Sequence, residues 1–199
     1  YPQYIAVVYA SGKLGRPVKW TASRSEAFLA DTHGRAHATH AELGLDSNGK
    51  ILALRIRTLA DMGAYLAYVG PLVPTLAAGH VITNVYDIKL MHLEVQCVLT
   101  NTATVDAYRG AGRPESVYMM ERLIDLAARE TGIDAAELRR RNMVLKSAMP
   151  YTNVFGAIYD SGDYAAIMDR GLREADWAGF PARKADAARR GKLAGRGFS

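Results

Sequence analysis

The sequence predicts a mixed α/β fold of the α+β kind, with a β-hairpin, further strands and C-terminal helices. Apolar and polar residues alternate over 36–45 and again over 50–59, which is the pattern of strands with one buried face. Over 114–130 the apolar residues instead recur every three or four positions, as on one face of a helix. With 199 residues, 49% of them hydrophobic, the chain is long enough to bury a substantial core.

The first elements are predicted from local signals. A helix is expected over 2–13 and a short strand over 16–21. Ser23 or Ser25 can cap a helical turn at 26–30, because a serine hydroxyl accepts a hydrogen bond from a free N–H at a helix start.

The clearest hairpin follows. Residues 46–49 read Asp-Ser-Asn-Gly, a turn-forming sequence between the two alternating segments. The residues expected together on one face are His37, Thr39, Ala41 and Leu43 in the first strand and Leu52, Leu54 and Ile56 in the second.

A loop and then a helix are expected over 62–80, and one long strand over 85–99. Cys97, the only cysteine, lies among apolar residues of that strand and is expected to be buried. A lone cysteine excludes an internal disulfide and favours a reducing compartment, so we expect a cytoplasmic protein.

Three helices are expected in the second half. Pro114 opens the first, which Gly132 ends. Asp134 caps a short second helix, and Asp163 caps a third over 164–175.

The net charge of +5 is concentrated at one end. Residues 181–199 hold six basic residues and one acid, whereas residues 1–180 hold 19 of each sign. This distribution favours a solvated basic helix and linker, with a polyanion-binding tail as the alternative. A nucleic-acid-binding fold usually spreads its basic surface more widely, and no apolar run approaches the length of a membrane span.

A glycine-rich turn lies directly before the first of the three helices. Residues 107–115 read Ala-Tyr-Arg-Gly-Ala-Gly-Arg-Pro-Glu. The first N–H groups of a helix are unpaired and partly positive, and glycine lets a ligand approach them closely. The turn therefore suits an oxyanion, a phosphate or a metal-oxo group. A plain tight connection has the same composition.

Other chemistry is weakly supported. On one strand, His33 and His40 would point to opposite faces, so no metal site is expected. A dinucleotide site is disfavoured, because Glu115 stands where the third glycine of that fingerprint would be. The sequence holds no Gly-x-Ser-x-Gly elbow.

The turn at 107–115 resembles the active-site loop of molybdenum hydroxylases, the xanthine dehydrogenase and aldehyde oxidoreductase family. It is most similar to large subunits of the carbon monoxide dehydrogenase type. Further segments resemble the family in the same order along the chain: 14–20, 24–26, 32–35, 121–125, 138–142 and 159–164.

The resemblance implies a molybdenum–molybdopterin cofactor, expected in its cytosine dinucleotide form, that hydroxylates a small molecule such as an aldehyde or N-heterocycle with oxygen from water. FAD and 2Fe-2S clusters are expected on partner subunits or domains, in a dimer of heterotrimers. The cofactor-binding residues it implies are Ala107, Tyr108, Arg109 and Gly110, and those bordering the substrate are Ala111 and Gly112.

The resemblance also divides the chain. Residues 1–180 are expected to be part of the cofactor-binding domain, truncated at both ends, and residues 181–199 to lead into a following domain. The family's glycine-rich cofactor segment is expected before Tyr1 and its glutamate general base after Ser199. No catalytic residue is therefore expected within this segment.

One departure bears on the substrate. Carbon monoxide dehydrogenases of this family carry a copper-binding cysteine directly after the loop arginine, and this chain has Gly110 there. The copper-free branch is therefore favoured over carbon monoxide dehydrogenase proper. Two alternatives stay open: a non-catalytic α/β module that binds a phosphate-bearing ligand, and a degenerate paralogue without the base.

Overall fold

The computed structural model describes residues 2–197, and its core lies between a three-stranded sheet and a long helix. The helices are α1 (Pro2–Leu14), α2 (Arg24–Ala30), α3 (Arg113–Thr131), α4 (Ala135–Asn142), α5 (Tyr164–Glu174) and α6 (Phe180–Arg189). The strands are β1 (His37–Leu45), β2 (Ile51–Asp61), β3 (Met91–Val98), β4 (Tyr151–Thr152) and β5 (Ile158–Tyr159). The predicted mixture of helices and strands is confirmed.

The sheet has the order β1-β2-β3 and mixes two kinds of pairing. β1 and β2 form the predicted antiparallel hairpin, whereas β3 runs parallel to β2. A parallel neighbour requires a long crossover. Here the crossover includes a 3-10 turn at Gly70–Leu72 and a π-helical turn at Val73–Ala77, which agrees with the expected loop and helix.

The hydrophobic core forms where α3 packs against one face of β2. Leu54 and Ile56 of β2 are each 1% exposed, and Met120 and Ile124 of α3 are equally buried. Every second residue of the strand and about every fourth residue of the helix therefore faces the core, as predicted. Leu138 of α4 belongs to the same core cluster.

A β-bulge corrects one expected core residue. Gly44 pairs with Ala53 and Leu45 with Ile51, so Leu52 has no partner in β1. A bulge reverses the alternation beyond it. Ile51 is consequently buried, and Leu52 is 56% exposed rather than sharing the face of Leu54.

The strand expected over 16–21 is wrong. These residues follow α1 as a bend and irregular backbone that pairs with no strand within residues 2–197. A strand is stable only when its backbone groups find a partner, and Pro17 has no N–H to offer. The helix at α2 does form, and Ser23, not Ser25, caps it in a capping box with Glu26.

The strand expected over 85–99 is shorter than predicted, because only β3 pairs. The residues before it enter the core instead: Tyr86 is 1% exposed and bridges Met143. Cys97 is exposed, contrary to expectation, because β3 pairs only with β2 and its apolar neighbours do not cover it.

Helix boundaries follow the predicted signals closely. Gly132 ends α3 in the left-handed conformation at φ 71°, and the carboxylates of Asp134 and Asp163 cap α4 and α5. Pro114 is the second residue of α3 rather than the first, because Arg113 already has helical backbone. None of the helices within 2–197 has the length and apolar character needed to cross a membrane.

Residues 181–189 of the basic C-terminal segment lie in α6, and some charges of the segment make local contacts. Asp186 pairs with Arg189 and Arg190. The Arg196 guanidinium lies 3.8 Å from the centroid of the Trp177 ring.

Candidate functional site

The glycine-rich turn is approached through a loop that runs beside residues 32–35. Val105 forms an isolated parallel bridge with His33. The His33 N–H donates to the Thr104 carbonyl at 3.2 Å, and the Asp106 N–H donates to the His33 carbonyl at 2.9 Å. These bonds fix the start of the turn relative to the strand entry at β1.

Three consecutive residues of the turn have left-handed backbone. Gly110 has φ 92°, Ala111 41° and Gly112 91°. Left-handed backbone carries little cost for glycine and a real one for alanine. Such a compact reversal lets the chain enter α3 directly, with Gly112 as its N-cap residue.

Gly112 is required for close packing as well as for its backbone angle. A Cβ at this position would lie 2.4 Å from the Val73 carbonyl oxygen and 2.9 Å from the Ala78 nitrogen. The Ser116 hydroxyl, one turn into α3, lies 3.2 Å from the Ala78 carbonyl and 2.9 Å from the Gly112 carbonyl. The π-helical segment therefore supports the turn from below.

Several N–H groups of the turn are left free. Among residues 2–197, the N–H groups of Tyr108, Arg109 and Gly110 donate to no protein acceptor. By contrast, Asp106 Oδ1 accepts the Ala107 N–H at 2.8 Å, and the Tyr108 carbonyl accepts that of Ala111. Free donors beside a helix start form an electropositive surface that suits an oxyanion or a metal-oxo group.

The Arg109 side chain adds a cation to this surface. It is exposed, and within the described part of the chain it forms no ion pair or hydrogen bond. The Tyr108 ring next to it is also exposed, at 61%. The turn therefore combines the Arg109 cation with three backbone N–H groups that have no acceptor within residues 2–197.

Arg35, which lies just before β1, also contacts the turn. Its guanidinium donates to the Arg109 carbonyl and lies 4.7 Å from the centroid of the Tyr108 ring. Its Nε lies 3.7 Å from Oε1 of Glu115 in the first turn of α3. One side chain thus links residues before, within and after the reversal.

His37 lies next to this cluster, half-buried at the start of β1. Burial lowers the pKa of His37, and the nearby Glu115 carboxylate opposes that effect. The second oxygen of Glu115 is buried and has no partner within residues 2–197. The carboxylate of Glu115, the imidazole of His37 and the guanidinium of Arg35 thus lie near one another beside the turn.

A groove of about 740 Å³ extends from this cluster between β1 and α3. Its apolar wall includes Met119, Leu123 and Leu126, and its polar end is formed by Arg35 and His37. The groove begins at Pro114 and Glu115, so it opens beside the turn.

The structure refines the positions of the predicted site residues. Ala107 cannot offer its N–H, and Gly112 is buried against the π-helical turn, so any contact it makes with a ligand is through its backbone. Ala111 is half-buried. No group of three metal-ligating side chains occurs in residues 2–197, and His40 lies on β1 away from the bridge at His33.

The sequence did not predict that Arg35, Glu115 and His37 lie together beside the turn. The segment 32–35 was part of the family resemblance, but nothing in its spacing predicts contact with a turn more than 70 residues away. The bridge between His33 and Val105 and the contacts of Arg35 bring the two segments together in the fold.

Residues 1–143 match the family model described as the molybdopterin cofactor-binding domain. The chain is 38% identical over 192 residues to the carbon monoxide dehydrogenase large chain of Hydrogenophaga pseudoflava, covering 96% of this chain and 24% of that protein. It is 32% identical over 183 residues to the 6-hydroxypseudooxynicotine dehydrogenase complex subunit gamma of Paenarthrobacter nicotinovorans, covering 89% and 23%.

The fold comparison agrees with the sequence comparison. The crystal structure of quinoline 2-oxidoreductase from Pseudomonas putida 86 superimposes with a TM-score of 0.87 at 35% identity, covering 96% of this chain and 24% of that chain. The present chain thus spans about a quarter of the length of the relatives it matches.

Proposed function

Since this chain belongs to the molybdopterin cofactor-binding domain family of molybdenum hydroxylase large subunits, we propose that the protein containing it oxidises a small organic molecule. The observation that carries the proposal is the set of free N–H groups at Tyr108, Arg109 and Gly110, at the start of α3. These donors fit the oxygen-rich face of a molybdenum–molybdopterin group. When bound, such a group would supply a two-electron oxidation, in which a substrate C–H and water give C–OH, two protons and two electrons.

The residues of the turn divide this task. The backbone of 108–110 would hold the cofactor, and the Arg109 cation would strengthen the local positive potential. Ala111 and the Gly112 backbone would border the substrate. Small residues there leave the width of the pocket to other parts of the protein. We place the general base, a glutamate, outside this segment.

The whole protein is proposed to be a cytoplasmic complex. We infer a cytosine dinucleotide form of the cofactor, with FAD and 2Fe-2S clusters on partner subunits and a dimer of heterotrimers. The name of one relative, the subunit gamma of a dehydrogenase complex, supports a multi-subunit assembly.

We propose an aldehyde or an N-heterocycle as the substrate class. Gly110 stands where the resemblance to carbon monoxide dehydrogenases calls for a copper-binding cysteine, and glycine offers no ligand atom. The similarity to quinoline 2-oxidoreductase supports a heterocycle. Carbon monoxide dehydrogenase proper is the second candidate, favoured by the 38% identity to such a large chain.

The test is turnover by the intact protein, purified with its partner subunits. Quinoline-type heterocycles, aldehydes and carbon monoxide are offered with an artificial electron acceptor in isotopically labelled water. Labelled oxygen in a hydroxylated heterocycle or in a carboxylic acid supports the proposal. Oxidation of carbon monoxide alone would favour the second candidate. A molybdenum-loaded protein that oxidises none of them would favour a degenerate paralogue.

A further inference from the structure

We propose that Arg35 is a positioning residue for the cofactor-binding turn. In this proposal its guanidinium holds the peptide between Arg109 and Gly110, so that the Gly110 N–H faces the bound cofactor. The inference rests on the proposed function. Arg35 lies outside the turn and precedes it by more than 70 residues in the sequence.

The contacts of Arg35 reach every part of the reversal. The guanidinium stacks on Tyr108 at 4.7 Å, donates to the carbonyl of Arg109, and pairs with Glu115 at 3.7 Å. A planar guanidinium can make these contacts simultaneously, because it stacks through its face and donates through its edge. The ammonium of lysine cannot reproduce this geometry.

The hydrogen bond to the Arg109 carbonyl has an electronic consequence. The Arg109 carbonyl and the Gly110 N–H belong to the same peptide unit. A peptide whose oxygen accepts a hydrogen bond from a cation is polarised and becomes a better donor at its nitrogen. The Gly110 N–H has no acceptor within residues 2–197, so that gain is available to a ligand.

The backbone around Arg35 is fitted to the turn at close range. A Cβ on Gly34 would lie 3.0 Å from Tyr108 Cβ and 3.2 Å from the Asp106 carbonyl oxygen. Arg35 itself has φ 65°, a left-handed angle that few residues with a side chain adopt. Such backbone persists where surrounding contacts fix it, and it is frequent at ligand-binding sites.

We expect the Arg35 side chain to contribute little to the free energy of folding. Its side chain is 35% exposed, and an ion pair in such a place is weakened by water and salt. It is also outside the hydrophobic core. Loss of the guanidinium should therefore change the turn without unfolding the sheet or α3.

The experiment compares four forms of the intact protein: wild type, Arg35→Met, Arg35→Lys and the control Arg129→Met. Arg129 is exposed near the end of α3, does not line the groove and forms no ion pair within the described residues. The measurements are molybdenum content, the electron paramagnetic resonance spectrum of molybdenum(V), kcat and KM. Hydrogen exchange of a peptide covering 107–112 reports on the turn itself.

We expect Arg35→Met to keep its molybdenum and lower kcat by about tenfold or more. This loss is smaller than the roughly 10²–10³-fold seen when a positioned donor is itself removed. KM should stay within about twofold, the molybdenum(V) spectrum should shift, and exchange in 107–112 should accelerate. Arg35→Lys should restore only part of kcat, and Arg129→Met should match the wild type.

An Arg35→Met protein with the wild-type spectrum, kcat and exchange would overturn the inference. So would a parallel loss of molybdenum and of thermal stability, because Arg35 would then serve the fold alone. Wild-type protein without molybdenum would overturn the proposed function, and the inference with it. If the wild type contains molybdenum and is active, and Arg35→Met behaves in the same way, only the role of Arg35 is refuted.

Discussion

Arg139 Nε donates to Glu121 Oε2 at 2.8 Å, and the two side chains are 0% and 7% exposed. The same guanidinium reaches Asp125 at 3.0 Å. The other oxygen of Glu121 accepts from Tyr86 at 2.8 Å and from Asn84 at 2.7 Å. This network joins α3 to α4 and to the segment before β3. It thereby fixes the helix that begins at the glycine-rich turn.

Removing one partner of this pair should destabilise the helical layer strongly. Arg139→Met leaves the Glu121 carboxylate buried without its cation, which costs about 3–5 kcal/mol. The measurement is native-state hydrogen exchange of peptides from α3 and α4 in the intact protein.

The matched control is Arg170→Met, which breaks an exposed pair with Glu174 on α5. Exposed pairs of this spacing contribute about 0.3–0.5 kcal/mol. Equal effects of the two variants would show that the buried network carries no special stability.

Two glycine variants separate close packing from backbone angle. Gly112→Ala would place a Cβ 2.4 Å from the Val73 carbonyl, whereas Gly132→Ala meets nothing within 4 Å. Both positions have left-handed backbone, so both variants should lose about 1 kcal/mol from that source. Only Gly112→Ala should displace the turn and lower molybdenum content. Similar molybdenum content in both would refute the packing argument.

A pH effect is expected from His37. Burial lowers its pKa below the usual value of 6.5, so below about pH 6.5 the unfolded chain binds more protons than the folded one. Stability should therefore fall as the pH falls through this range, and His37→Gln should reduce that dependence. Hydrogen exchange of β1 between pH 5 and 7 measures it. An unchanged slope in the variant would contradict the buried, neutral imidazole.

Arg109→Ala tests the exposed cation of the turn. The side chain is exposed and forms no hydrogen bond or ion pair within residues 2–197, so folding and thermal stability should be unchanged. Turnover should drop by about a hundredfold, since a positive charge of the proposed site is removed. Wild-type turnover at full molybdenum occupancy would show that the cation has no part in the reaction.

Local signals in the sequence predicted the fold well where neighbours along the chain decide it. The hairpin turn, the caps at Ser23 and Asp134, and the stop at Gly132 each depend on a few adjacent residues. Prediction failed where an element depends on pairing with a distant segment of the chain. Residues 16–21 found no partner strand.

The site shows the same division. The turn was identified because its glycines and the helix start are contiguous. Its support by Arg35 and by Val73 depends on contacts between distant segments, which no periodic pattern encodes. The exposure of Cys97 was missed for a related reason, since an apolar strand does not reveal whether its face is covered.

We infer that this turn belongs to a copper-free molybdenum site. The decisive measurement is elemental analysis of the intact protein, purified together with any subunits that accompany it. We expect about one molybdenum per copy of this chain and no copper, because Gly110 offers no thiolate. Stoichiometric copper beside molybdenum would contradict the reading of Gly110. A well-folded protein without molybdenum would contradict the proposed function.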